Sequence, residues 1–165
     1  MKRIFISAML CSLLFACKND QAGGANEESD SEKPELEKKI TKRDYSITAA
    51  NAYNDIFLDS LAMEKFIVDE KLNDTLIRRM RSFYNARNYQ YAWFASDGLT
   101  EQTRAFWNLH SYHTTVNKDT TLNDKALHKS MDRLELEEEL KVSASDKSIL
   151  KTEFLLTEHF IRYML

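Results

Sequence analysis

The chain has only two cysteines among its 165 residues, and both lie near its start, at Cys11 and Cys17. Small domains that are held together by disulfides need paired cysteines along their length, so this class of protein is excluded. A cysteine nucleophile reacts as the thiolate, and no residue after Cys17 could supply one. If residues 1–16 are removed and Cys17 is lipidated, the mature chain keeps no free thiol.

Glycine and proline are also scarce, with three glycines and one proline in the whole chain. Neither a glycine-rich phosphate loop nor a Gly-x-Ser-x-Gly nucleophile motif occurs. The formal net charge of −3 makes nucleic-acid binding an unfavourable interpretation. Acidic neighbours at Asp69, Glu70 and 137–139 lie in polar helix ends, without the desolvated setting that a general acid requires. We therefore predict no catalytic residues and no cofactor.

Histidine is the remaining metal-ligating residue, and its spacing gives little support for a metal site. His110 and His113 are three residues apart on a predicted helix, a spacing that can bring two imidazoles near one ion. A third ligand is missing at any recognisable spacing, and His128 and His159 stand alone in the sequence. We predict no metal.

Residues 1–16 have the pattern of a lipoprotein signal peptide. Lys2 and Arg3 precede an apolar run over residues 4–15, which ends at Ala16 and Cys17. The run is too short to span a membrane as a mature helix. We expect Cys17 to be lipidated and to anchor the protein to a membrane of the cell envelope, facing the periplasm or the surface. The alternatives are an ordinary secretory signal or an uncleaved anchor.

Residues 17–46 are predicted to form a flexible tether between the lipid and a folded domain. Between Lys18 and Ile40 the chain carries Pro34 and many Asn, Gln, Ser and Glu residues, and it has hardly any apolar side chain. Such a composition cannot bury enough surface to offset the entropy of ordering. About 20 residues of this kind reach roughly 25 Å. A short charged helix over residues 35–42 is the alternative.

Residues 47–165 show helical periodicity and predict a mainly α domain with one short extended segment. The predicted helix starts are Thr48, Asp59 or Ser60, Asn73, Thr100, Asn123 or Asp124, and Asp146. The side chains expected on the buried faces are Tyr53, Ile56, Phe57, Leu61, Phe66, Ile67, Leu76, Met80, Phe83, Thr103, Phe106, Leu109, His113, Leu127, Met131, Leu134, Ile149, Leu156, Phe160 and Tyr163. The acidic run 135–139 opposes a helix dipole, so we expect a solvated end there.

The aromatic-rich stretch Phe83–Leu109 is where we expect the core to form, because aromatic side chains bury the most area. An extended segment with alternating side chains is predicted before a turn at residues 96–98, with a helix after Thr100. The residues that we assign to a structural aromatic corner are Tyr84, Tyr89, Trp93, Phe94, Phe106 and Trp107. The alternative is an exposed aromatic platform that binds glycan or a partner protein.

The same stretch carries a family resemblance. Arg87-Asn88-Tyr89, Ala92-Trp93-Phe94 and Asp97-Gly98-Leu99-Thr100, followed by an amphipathic helix, resemble the scaffold domain of bacterial L,D-transpeptidases. Leu155-Leu156-Thr157 and Phe160-Ile161-Arg162-Tyr163 resemble a later helix of that domain. The resemblance spans roughly residues 47–165, and its motifs are structural.

The resemblance implies an envelope protein that acts in peptidoglycan cross-linking. Enzymes of that family use a histidine and a Ser-x-Gly-Cys-x-Arg signature, which this sequence lacks. We therefore expect a non-catalytic scaffold that holds a catalytic domain, in a chain that is truncated and is not an enzyme as encoded. The expected partners are the membrane and either peptidoglycan or the missing domain. The alternative is a stand-alone envelope lipoprotein that binds peptidoglycan or a partner through its aromatic corner.

The last predicted helix has apolar residues around much of its circumference, and no glycine, asparagine or proline terminates it. We expect one small core to cover only part of this helix. Its exposed remainder, mainly within Phe154–Leu165, would then make the isolated domain self-associate.

Overall fold

A computed structural model describes residues 41–118 and 120–165, all of which belong to one compact unit, Pro34–Leu165. The predicted signal peptide, the lipidation site Cys17 and most of the tether lie outside the described residues. None of the described helices is both long and apolar enough to cross a membrane.

The described part of the chain contains five helices and one small antiparallel hairpin. The helices are α1 (Ser60–Asp69), α2 (Asp74–Ala86), α3 (Glu101–Thr115), α4 (Lys125–Glu135) and α5 (Lys147–Tyr163). The hairpin joins β1 (Phe94–Ala95) to β2 (Gly98–Leu99), with Phe94 opposite Leu99 and Ala95 opposite Gly98. The predicted mainly α fold with one short extended segment is confirmed.

Side-chain caps determine where these helices begin. Each first turn receives a hydrogen-bond acceptor from the residue before it, as expected for Asp, Asn and Thr at this position. The five capping residues are Asp59, Asn73, Thr100, Asp124 and Asp146. Each is among the predicted helix starts. The acidic run behaves as expected too, since α4 ends at Glu135 and the glutamates that follow are exposed.

Helix α5 is the centre of the core. It packs against α1, α2 and α4, and every residue from Thr152 to His159 is buried. The expectation of an apolar surface left open along Phe154–Leu165 is wrong for most of this range, because neighbouring elements surround the helix. Only its end is open, with Met164 62% and Leu165 64% exposed.

The helix predicted after Thr48 does not form. Residues 48–55 make turns and bends, and the chain then runs extended beside the aromatic corner. Leu58 N donates to Tyr89 O at 2.8 Å, and Tyr91 N donates to Ile56 O at 3.0 Å. The backbone of Ile56 and Leu58 therefore finds its partners in another segment, which outweighs the local helical pattern.

Three residues expected on buried faces are exposed: Tyr53 at 76%, Leu61 at 68% and Leu109 at 40%. Tyr53 lies in the segment that is not helical. Leu61 follows directly after the start of α1, while Met63, Phe66 and Ile67 form the buried side of that helix. In α3 the buried side is made by Thr103, Phe106, Trp107 and His110, so the true stripe is rotated away from Leu109.

The first described residues already contact the helices. Thr41 N donates to Asn85 Oδ1 at 3.2 Å, and Asp44 N donates to Asn88 Oδ1 at 2.7 Å. The hydroxyl of Tyr89 donates to Thr41 O at 2.7 Å. Residues 41–44, which precede the predicted domain start at residue 47, are thus bonded to the end of α2 and to the residues that follow it.

Candidate functional site

The six residues of the predicted aromatic corner are buried, and none is more than 6% exposed. All six belong to one hydrophobic core cluster, but they pack on different neighbours within it. Trp93 packs on Phe106, with ring centroids 5.3 Å apart, while Tyr84 meets Phe154 of α5 at 5.7 Å. Trp107 instead stacks on His110 at 4.9 Å. An aromatic platform for glycan would need exposed ring faces, which this burial does not provide.

A buried carboxylate on α5 holds the corner in place. Glu153 is 0% exposed and accepts hydrogen bonds from the backbone N–H groups of Ala92 at 2.7 Å and Trp93 at 3.0 Å. The Tyr84 hydroxyl donates to the same carboxylate at 3.0 Å. Two of these donors come from the residues just before β1 and the third comes from α2. One side chain of α5 therefore binds both segments.

Thr157, one turn after Glu153, completes this arrangement. Its hydroxyl oxygen accepts a hydrogen bond from Trp93 Nε1 at 2.8 Å and lies 2.7 Å from the Tyr84 hydroxyl. We call Glu153, Thr157, Tyr84 and the backbone of Ala92 and Trp93 the polar junction. Buried polar groups stabilise a fold only when they are paired, and the junction pairs them across three segments.

Burial dominates the electrostatics of the junction. It raises the pKa of Glu153 to about 7, although the hydrogen bonds from Ala92 and Trp93 act in the opposite direction. Burial likewise raises the pKa of the Tyr84 hydroxyl well above its usual range. A carboxyl group with such a pKa can be a general acid or base, but only where substrate can reach it. Because Glu153 is fully enclosed by protein groups, we assign it a structural role.

The second buried polar cluster contains histidines. His110 Nε2 lies 3.0 Å from His159 Nδ1, and His159 Nε2 lies 3.8 Å from the Asp124 carboxylate. The ring of His128 is 5.4 Å from that of His110. His128 and His159 stand alone in the sequence, but in the fold both lie in one cluster with His110. Burial lowers the pKa of His159 to about 4, so it is neutral near physiological pH.

The side chains of His110 and His113, whose spacing could bring two imidazoles near one ion, have different surroundings. His110 is buried against Trp107, whereas His113 is partly exposed and contacts Asn117 and the hydroxyl of Tyr163. Within residues 41–118 and 120–165, no group of three or more His, Cys, Asp or Glu side chains is arranged to hold a metal ion.

A groove of about 530 Å³ lies beside the aromatic corner. Rings of Trp93, Phe106 and Phe160 contact one another along it, with centroids between 5.3 and 5.6 Å apart. Phe83 and Arg87 from the end of α2 also line it. Because Trp93 and Phe106 of the predicted corner line it, we name it the corner groove.

Comparison with known families matches residues 78–165 to a family described as Scaffold domain. This range is more than half of the chain. The chain belongs to the Scaffold domain family. The matched range begins inside α2 and continues through α5, so it contains the whole polar junction and the histidine cluster. No curated protein and no solved structure matches the chain.

Sequence reasoning missed Glu153 and Thr157, which hold the Scaffold domain together. Both interrupt the apolar face of the last helix at a spacing of four residues. Polar residues that share one face of a helix with core positions indicate buried hydrogen bonds. That signal was present, but the partners lie more than 60 residues away, and for Glu153 two of them are backbone N–H groups, which no side-chain pattern reveals.

Proposed function

We propose that this chain is the non-catalytic scaffold part of an L,D-transpeptidase-like lipoprotein of the cell envelope, acting in peptidoglycan cross-linking. The observation that carries the proposal is the Scaffold domain match over residues 78–165. The specific link to L,D-transpeptidases rests on Arg87-Asn88-Tyr89 and Ala92-Trp93-Phe94, which resemble the scaffold domain of those enzymes.

The interior chemistry of the domain supports a structural role. The carboxylate and hydroxyl groups of the polar junction form hydrogen bonds with one another and with the backbone. Glu153 is fully buried and therefore closed to substrate. No cysteine follows Cys17 in the sequence, so a thiolate mechanism has no nucleophile in the folded domain. The domain would hold and orient a catalytic domain near peptidoglycan, with lipid on Cys17 fixing it at a membrane.

The test is muropeptide analysis of a host strain in which the gene is deleted. We expect a smaller fraction of cross-linked stem-peptide dimers, restored by the wild-type gene and by Leu136→Ala, whose side chain is 83% exposed. Trp93→Ala should fail to restore it, because losing a buried tryptophan costs about 3–5 kcal/mol of stability. An unchanged dimer fraction in the deletion strain would overturn the proposal.

A second measurement separates a scaffold from an enzyme. The purified full chain, incubated with tetrapeptide-containing muropeptides, should give no transpeptidation or carboxypeptidation above a heat-inactivated control. Turnover that survives Cys17→Ser would show a nucleophile elsewhere, and the chain would then be an enzyme in its own right.

A further inference from the structure

The corner groove has a chemical character that differs from the rest of the surface. Its lining is aromatic or aliphatic apart from a few positions, and Arg87 is the charged residue among those described that line it. The volume of about 530 Å³ is within the range of pockets that bind small ligands and short peptide segments. An apolar groove with one cation favours a ligand with a large apolar group next to a negative charge.

Arg87 forms no salt bridge among the described residues, although its charge lowers the pKa of the buried Glu153 carboxyl. Arg81 pairs with Glu64 at 2.5 Å, and Arg162 pairs with Glu158 at 2.7 Å. Arg87 Nε is buried without a hydrogen-bond acceptor, and the guanidinium carbon lies 5.2 Å from the centroid of the Phe83 ring. The side chain is thus packed against the groove wall. A carboxylate brought by a ligand would add charge-assisted hydrogen bonds to the guanidinium group.

Two exposed polar side chains that also line the groove suit a peptide backbone. Gln102 Nε2 donates to the Tyr53 hydroxyl at 2.8 Å, and both side chains are exposed. A peptide segment presents amide and carbonyl groups that can bond to these polar groups while its side chains enter the apolar floor.

We propose that the corner groove binds a peptide segment of a partner protein that carries an Asp or Glu beside a large apolar side chain, with Arg87 binding the carboxylate. The inference rests on the proposed scaffold role, since this segment would belong to the protein that the scaffold holds. A second copy of this chain is a less favourable ligand for the groove. A two-fold contact through this surface would bring two Arg87 side chains near each other without a counter-charge.

The direct test is fluorescence anisotropy of labelled hexapeptides on the purified full chain. The probes are Gly-Leu-Phe-Glu-Leu-Gly and its counterpart with Gln in place of Glu, both blocked at their ends. We expect the Glu peptide to bind at least about tenfold more tightly, because a hydrogen-bonded charge contributes that much discrimination. Equal binding of both peptides, or no binding of either, would overturn the proposal.

Matched variants assign the effect to the groove. Arg87→Gln should abolish the preference for the Glu peptide, whereas Arg79→Gln, an exposed change in α2, should keep it. Leu109→Glu puts a negative charge at the groove rim and should weaken binding of the Glu peptide by about tenfold. Its control is Leu136→Glu, which lies outside the groove lining and should bind as wild type does. Circular dichroism and melting confirm that each variant is folded.

Two further measurements distinguish the other occupants. Light scattering that shows a dimer lost in Leu109→Glu but kept in Leu136→Glu would identify the groove as a self-interface and refute the proposal. Binding to phosphatidylglycerol vesicles that depends on Arg87, with no peptide binding, would identify a lipid site and refute it as well. If neither peptide binds but gene deletion still lowers the fraction of stem-peptide dimers, the scaffold role is retained and only the proposed peptide partner is refuted.

Discussion

At the scale of single residues, Glu153 makes the stability of the domain depend on pH in an unusual direction. The folded pKa of about 7 lies above the ordinary value of 4.5, so the folded state retains a proton that the unfolded chain releases. The resulting stabilisation is complete below pH 4.5 and is lost as the pH rises through 7. The shift corresponds to a loss on the order of 3 kcal/mol.

We expect Glu153→Gln to remove most of this loss. The variant should be less stable than wild type near pH 5 by about 1–3 kcal/mol, because a Gln amide cannot accept from both backbone N–H groups. Its unfolding free energy should then change little toward higher pH. Guanidinium unfolding across this range measures both effects. Exposed Glu137→Gln is the control, and a wild-type pH slope in Glu153→Gln would contradict the assignment.

His159 acts in the opposite sense. The folded pKa of about 4 lies below the ordinary 6.5, so its contribution to stability is complete above pH 6.5 and is lost as the pH falls toward 4. The groups that face it are His110, Asp124, His128 and Arg162, and among them only Asp124 favours protonation. Acid should therefore destabilise the domain through this cluster.

The matching prediction is that His159→Gln reduces the loss of stability on acidification from about pH 6.5 to 4.5, by about 2 kcal/mol. His113→Gln, at a partly exposed position, should leave the loss unchanged. Urea unfolding at several pH values compares the two variants with wild type. Equal acid sensitivity in all three proteins would place the titration elsewhere.

At the scale of elements, helices could be predicted because their signals are local. The caps at Asp59, Asn73 and Asp146 and the apolar spacing around them are short-range patterns. The segment after Thr48 also has a helical pattern, yet it runs extended where its backbone bonds to residues 89–91. The polar junction escaped prediction for the same reason, since Ala92 and Trp93 contribute backbone N–H groups that their identities do not reveal.

The first turn of α5 provides a test at this scale. Asp146 accepts from Ser148 N at 2.8 Å and Ile149 N at 3.2 Å, so its carboxylate satisfies two donors of the central helix. Asp146→Ala should lower the unfolding free energy by about 1 kcal/mol. Asp132→Ala, at an exposed position of α4, should stay within about 0.5 kcal/mol of wild type. Chemical unfolding measures both, and equal losses would argue against a capping effect.

At the scale of the whole molecule, attachment to a membrane remains a prediction from the sequence. We expect mass spectrometry to find an acylated cysteine at the mature N-terminus. Cys17→Ser should leave the precursor unprocessed or release the protein from the membrane fraction. Cys11→Ser is the matched control, because its thiol lies in the part expected to be removed. Normal processing and retention of Cys17→Ser would refute lipidation.

The central position of α5 has a consequence for synthesis. Residues 41–146 leave the ribosome before this helix does, although Glu153 and Thr157 are the partners of Tyr84 and Trp93. Bonds between positions more than 60 residues apart therefore cannot form until nearly the whole domain has been translated. Until then the aromatic corner lacks its cover, and the nascent chain presents apolar rings to the solvent. We infer that the aromatic corner is completed only after α5 has been translated.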